Sequence, residues 1–254
     1  MKLTPLILTA AALTASAQSN FEWKGPIGPD QKLEIRNVIG DIKAVPAAGA
    51  DVEISVRITG TRPDPGTIRI DVVQHEGGIL VCTIYQGLSR PEHCAPGETP
   101  SVTLTNTDVR VVYTIGVPAG VSFTPRTVNG NITADLPDSA VSAYTVNGRI
   151  ALATSRAADA HTVNGSVLAT LGSVEWEGTR EFGAVNGSVD VEIPESARAT
   201  VYANTVFGAV SNDFGLTVHR NIVGRWFSGD VNGGGPSLVL GAVNGSIHLR
   251  HPVQ

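Results

Sequence analysis

Ionic side chains are scarce in this chain, and the scarcity narrows what it can be. Charged residues make up 16% of 254, with a formal net charge of −5 and no basic run. A nucleic-acid surface or an anionic-lipid surface needs clustered Lys and Arg, so neither partner is expected. Aromatics are only 5%, and there are two cysteines. Also missing are Gly-x-Ser-x-Gly, His-Glu-x-x-His, a phosphate-cradling glycine loop and Cys-x-x-Cys, the signatures of hydrolytic, zinc, nucleotide and dithiol chemistry. The six histidines, His75, His93, His161, His219, His248 and His251, do not recur at ligand spacing. No catalytic residue, metal centre or cofactor is therefore expected.

What is abundant is glycine and proline, 28 and 15 residues, which suits many strands and turns better than helices. Seven of the glycines belong to a repeat. Val-Asn-Gly occurs at Val128-Asn129-Gly130, Val146-Asn147-Gly148, Val163-Asn164-Gly165, Val185-Asn186-Gly187, Val231-Asn232-Gly233 and Val243-Asn244-Gly245, with Val206-Phe207-Gly208 as a degenerate copy. From one third residue (Asn or Phe) to the next the steps are 18, 17, 22, 21, 25 and 12. A period near twenty residues predicts a stack of similar units.

Apolar residues alternate after Gly130, Gly148, Gly165 and Gly187, as in Ile132, Ala134 and Leu136 or Val189, Val191 and Ile193. Each unit therefore holds a short strand with one buried face. The Asn-Gly pair supplies a bend, because both residues tolerate positive φ. Stacked in register, the units form a parallel β-solenoid. The valines are expected to line its core and the asparagines to form an amide ladder. An antiparallel sandwich built from Asn-Gly hairpins is the rival arrangement.

Three regions follow. Residues 1–17 read as a secretory signal: Lys2, then a mostly apolar Leu3 to Leu13, then Ala15-Ser16-Ala17. That apolar stretch is too short to span a bilayer, and no later run reaches the length of a transmembrane helix. Residues 18–125 are strand-rich and less regular, capping one end of the stack. Residues 126–254 hold the regular repeats, continuous with the preceding part, and His248, Arg250, His251 and Pro252 are expected to protect the last strand as an edge. Export puts Cys82 and Cys94 in an oxidising space, where a disulfide is expected; a Cys/His metal site with His93 lacks further ligands.

The early Val38-Ile39-Gly40-Asp41-Ile42, the Val117-Pro118 lead-in, the x-Val-Asn-Gly-x-Ile/Val units and the ending Gly233 to Ile247 together resemble a bacterial family of exported β-solenoid proteins known as putative adhesins. The resemblance covers most of the chain after the signal. It implies an all-β, right-handed parallel β-helix in the periplasm or outside the cell, with no established catalytic set. The signal, the repeats and the missing catalytic groups point to a non-enzymatic interaction module, with a cell-surface polymer or envelope protein as partner. The alternatives are a polysaccharide-cleaving β-helix enzyme and a self-assembling structural solenoid.

Two surface features are minor candidates. If the strands after Gly187 and Gly208 lie side by side, Asp190 and Glu192 approach Ser211 and Asp213, an oxygen-rich group of the kind calcium takes. Trp226-Phe227, flanked by Gly224-Arg225 and Ser228-Gly229, reads as an exposed contact.

Overall fold

Strand alternation decides which side chains meet. The computed structural model describes residues 17–98 and 101–252. The expected signal lies outside them except for Ala17, which opens the first strand. The N-terminal part forms β1 (Ala17–Pro26), β2 (Lys32–Arg36), β3 (Ile42–Pro46), β4 (Asp51–Gly60), β5 (Ile68–His75), β6 (Gly78–Tyr85), β7 (Ser89–Arg90), β8 (Ser101–Val102) and β9 (Arg110–Val117). The repeats begin with β10 (Ser122–Asn129), β11 (Ile132–Asp135), β12 (Val141–Asn147), β13 (Ile150–Thr154), β14 (Ala158–Asn164), β15 (Val167–Leu171), β16 (Thr179–Asn186) and β17 (Val189–Glu192). They continue through β18 (Ala199–Phe207), β19 (Val210–Asn212), β20 (Val218–Asn221), β21 (Gly224–Val231), β22 (Ser237–Asn244) and β23 (Ile247–Arg250).

Each repeat gives one strand to each of two large sheets. The longer strand, ending on the asparagine, joins the 11-stranded sheet β20-β21-β18-β22-β16-β14-β12-β10-β2-β6-β5. The shorter strand after the glycine joins the 10-stranded sheet β1-β4-β9-β3-β11-β13-β15-β17-β23-β19. Parallel pairing in register stacks Ile132, Ile150, Val167, Val189, Ile247 and Val210 into one buried column. The other sheet supplies Ala143, Ala160, Phe182, Leu240 and Ala203. These columns belong to one continuous core. Each fully buried Val, Ile, Leu or Phe contributes about 1.5–3 kcal/mol, so the repeat is held chiefly by these rows.

Pairing is parallel through the repeats and antiparallel at both ends. At one end lie β1–β4–β9 and β5–β6; at the other lie β18–β21–β20. Neither sheet closes on itself. The molecule is thus all-β with two large, open sheets of mixed direction, a coarser result than the uniform parallel coil expected from the repeat. Among the described residues no helix is long and apolar enough to cross a membrane.

Three expectations are corrected by this geometry. The valines of the stacked triplets do not line the core: Val128, Val146, Val163, Val185 and Val243 are 38–40% exposed, and only Val231, outside the stack, is buried. In β12 the inward parity runs Val141, Ala143, Thr145, so Val146 points out. The core positions are instead Thr127, Thr145, Thr162, Ala184, Thr205 and Ala242. Second, the Val231-Asn232-Gly233 copy is no repeat unit, since Val231 ends the antiparallel strand β21 and pairs with Ala199. Third, the chain does not finish at a sheet edge: β22 sits between β16 and β18, and β23 between β17 and β19. The last unit in sequence is the penultimate one in space.

Candidate functional site

The turn from one sheet to the other is built by four residues, and each has its own reason to be there. The Thr side chain points inward and its hydroxyl donates to the glycine carbonyl of the neighbouring unit: Thr145 to Gly130 at 3.0 Å, Thr162 to Gly148 at 3.0 Å, Thr205 to Gly245 at 2.7 Å. A buried hydroxyl is therefore satisfied, and the backbone carbonyl at the corner gains a donor. Glycine follows asparagine because backbones crowd at the corner: a Cβ on Gly148 would overlap the carbonyl oxygen of Gly130. Positive φ is not the reason for Asn in the ladder. Among the described residues the only triplet asparagine with positive φ is Asn232, at 51°, in the copy that is a true turn.

The asparagines form the expected ladder. Asn147 Nδ2 donates to Asn129 Oδ1 at 2.7 Å, Asn164 to Asn147 at 2.8 Å, Asn186 to Asn164 at 2.8 Å and Asn244 to Asn186 at 2.8 Å. Asn232 stands apart, donating to the carbonyls of Glu195 and Ala197. Phe207 lies next in register after Asn244, 70% exposed, so the ladder stops where the stack stops. All five ladder residues are exposed. An amide has two N–H donors and two lone-pair directions; the ladder uses one of each at Asn147, Asn164 and Asn186.

Beside the valines, on the same outer face, runs a second row. The residues two before each Val are Arg126, Tyr144, His161, Gly183 and Gly241, aligned across β10, β12, β14, β16 and β22. Arg126 lies over the Tyr144 ring at 4.2 Å, and the Tyr144 and His161 rings stack at 5.7 Å with 9° between their planes. The two glycines then leave the face bare beside Val185 and Val243. The result is a flat stripe of ring faces, methyl groups and half-used amides, charged only at Arg126. Sequence reading missed Tyr144 and His161, although their equal spacing from consecutive triplets was available.

The other sequence candidates fare differently. The acidic group is not assembled, because β23 separates β17 from β19 and puts His248 between Asp190 and Ser211. Asp190 accepts from Arg250 and Ser188, Glu192 accepts from Thr170, and Ser211 bonds His248. Among the described residues no three His, Cys, Asp or Glu side chains converge as a metal site. Trp226 is half-buried and stacks on His219 at 4.3 Å, whereas Phe227 is buried in the core and unavailable to a partner. Alternation again decides, since neighbours on a strand face opposite ways. Cys82 and Cys94 are bonded, and they pack with Leu80 and Ile84 in a small cluster on the outer side of β6.

Several solved structures are distantly similar. One is a putative cell adhesion protein from Clostridium sporogenes, 10% identical, with 92% of this chain and 100% of that chain covered and a TM-score of 0.43. Another is a putative adhesin from Bacteroides fragilis, 10% identical over 92% of this chain and 97% of that one, TM-score 0.26. A putative lipid binding protein from Parabacteroides distasonis is 9% identical over 93% and 97%, TM-score 0.27. No protein-family model matches the chain, and no curated protein does.

Proposed function

We propose that this chain is an exported, non-enzymatic interaction module of the bacterial envelope, whose repeated part is a right-handed parallel β-solenoid and whose stripe of Tyr144, His161, the triplet valines and the asparagine ladder binds a cell-surface polymer. The observation that carries this reading is the continuous Tyr144–His161 stack flanked by Val146 and Val163 on a rigid, in-register face. Ring faces and methyl groups suit the apolar sides of sugar rings, and the remaining amide donors and acceptors suit their hydroxyls. A face that repeats at every strand, about 4.8 Å apart, suits an extended and repetitive partner better than a compact one. The disulfide and the signal fit a periplasmic or extracellular location.

Retention of purified protein on envelope polysaccharide tests it. Tyr144→Ala and Val163→Asp, both on exposed or half-exposed positions, are each expected to weaken retention by about tenfold or more, as for centrally placed contacts. Their melting temperatures should stay close to the parent's. Equal retention by parent and both variants would discard the stripe as the binding face.

A further inference from the structure

On the same outer surface, at the N-terminal end of the stack, lies a cavity of about 550 Å³ whose lining takes in Val128 and Asn129 from the end of the polymer stripe. It sits where β10, β2 and β6 run side by side, and residues 101–107 cross over it. In register, Arg126 on β10 neighbours Arg36 on β2, and Arg36 neighbours Cys82 on β6. Two like charges directly opposite each other on adjacent strands repel, so something must compensate.

One carboxylate does part of this. Glu34 takes Arg36 at 2.7 Å, Lys32 at 3.1 Å and Arg126 at 3.7 Å. Burial opposes its ionisation, but the hydrogen bonds from Arg36 and Lys32 prevail and hold its carboxyl below the ordinary value. Three cations therefore share one anion. Arg36 is further occupied by the carbonyls of Ala95 and Glu98. Arg126 is not: among the described residues its contacts are the long ion pair to Glu34 and the face of Tyr144, and its guanidinium donors make no hydrogen bond there. An arginine at the rim of a cavity with its donors unspent suits an acid group, which a guanidinium binds through two parallel N–H donors.

The walls ask for something else. Val38, Val102, Leu104 and Val128 supply apolar surface. The buried polar side chains among them are already satisfied by the protein. Asn37 donates to the carbonyls of Gly40 and Val111, Thr83 donates to Asn37, and Thr127 donates to Gly40. An occupant needs to bring no polar group to the interior and one negative group to the rim. The volume lies within the range of small-molecule pockets.

From this juxtaposition we infer that the cavity binds a small amphipathic anion, a medium-chain aliphatic carboxylate, with its chain against Val38, Val102 and Leu104 and its carboxylate on Arg126. The site adjoins the end of the polymer stripe at Arg126, Val128 and Asn129 and differs from it in ligand.

Calorimetric titration of the full chain with decanoate, decanol and acetate tests the inference. Decanoate is expected to bind saturably and decanol at least about tenfold more weakly, the loss of a charge-assisted hydrogen bond; acetate, lacking the chain, is expected not to bind. Arg126→Gln should weaken decanoate by about tenfold and erase its advantage over decanol. Leu104→Trp, which fills the cavity from a half-buried position, should abolish binding while circular dichroism stays that of the parent. No saturable decanoate binding, equal binding of decanol, or decanoate binding indifferent to both variants would each overturn it. Leu104→Trp should leave polysaccharide retention unchanged, so failure of this site and failure of the stripe are read separately.

Discussion

Thr145 and Val146 are adjacent, both β-branched and both part of the same repeated word, yet one is in the core and the other is on the surface. Hydrophobicity alone would assign them the other way round. What decides is strand parity, fixed by Val141 and Ala143 earlier in β12, together with a carbonyl at Gly130 that gives the inward hydroxyl a partner. Gly148 is constrained more tightly still, by backbone against backbone. Gly148→Ala is expected to cost about 1–3 kcal/mol, the usual penalty for forcing atoms into a full space. Gly241→Ala, where an added Cβ meets nothing within 4 Å, should cost less than 1 kcal/mol by the ordinary surface range. Chemical denaturation of the two variants compares them directly. Asp108 carries a different residue-scale prediction. The Thr61 hydroxyl and the Thr61 and Arg62 amides donate to its carboxylate and lower it from 3.8 to about 2. A depressed carboxylate stabilises the fold above its unfolded value and loses that effect as pH falls through the folded one. Melting temperature should therefore drop between about pH 4 and about pH 2, and Asp108→Asn should flatten part of that slope.

At the scale of strands, the sequence showed where elements begin and which side chains of the short strands face inward, because alternation after Gly130, Gly148, Gly165 and Gly187 is uninterrupted. Ile132, Ile150, Val167 and Val189 are buried as their spacing required. The count could not be carried backward through the glycine to the valine, since the chain changes sheet there and the parity restarts. A local signal did exist. Every copy in the stack has Thr or Ala before its Val, small enough and satisfiable enough for the interior, while the discordant copy has Asp230. An unpaired carboxylate is costly to bury; Asp230 is exposed and accepts from Thr200 instead. The ladder itself can be weighed by position. Asn164→Ala removes two amide bonds and leaves Asn147 and Asn186 each short of a partner, whereas Asn129→Ala removes one at the end. The interior change is expected to cost about 1–2 kcal/mol and the terminal one roughly half as much, measured by urea unfolding.

For the whole molecule, the order of units in space was not readable, because β16, β18 and β22 carry nearly the same pattern and any of them could neighbour another. The 12-residue final step and the Phe at position 207 were the visible marks of disorder in the sequence order. The cavity at the N-terminal end was equally hidden. It depends on a register that brings Arg126 beside Arg36 across ninety positions of chain, which no local periodicity contains.

The placement of β22 and β23 has a temporal consequence. A ribosome releases β18 to β21 before the strands that separate them from β16 and β17. The emerging hairpin must wait with an uncommitted flank until the closing segment arrives, like an arch held open for its keystone.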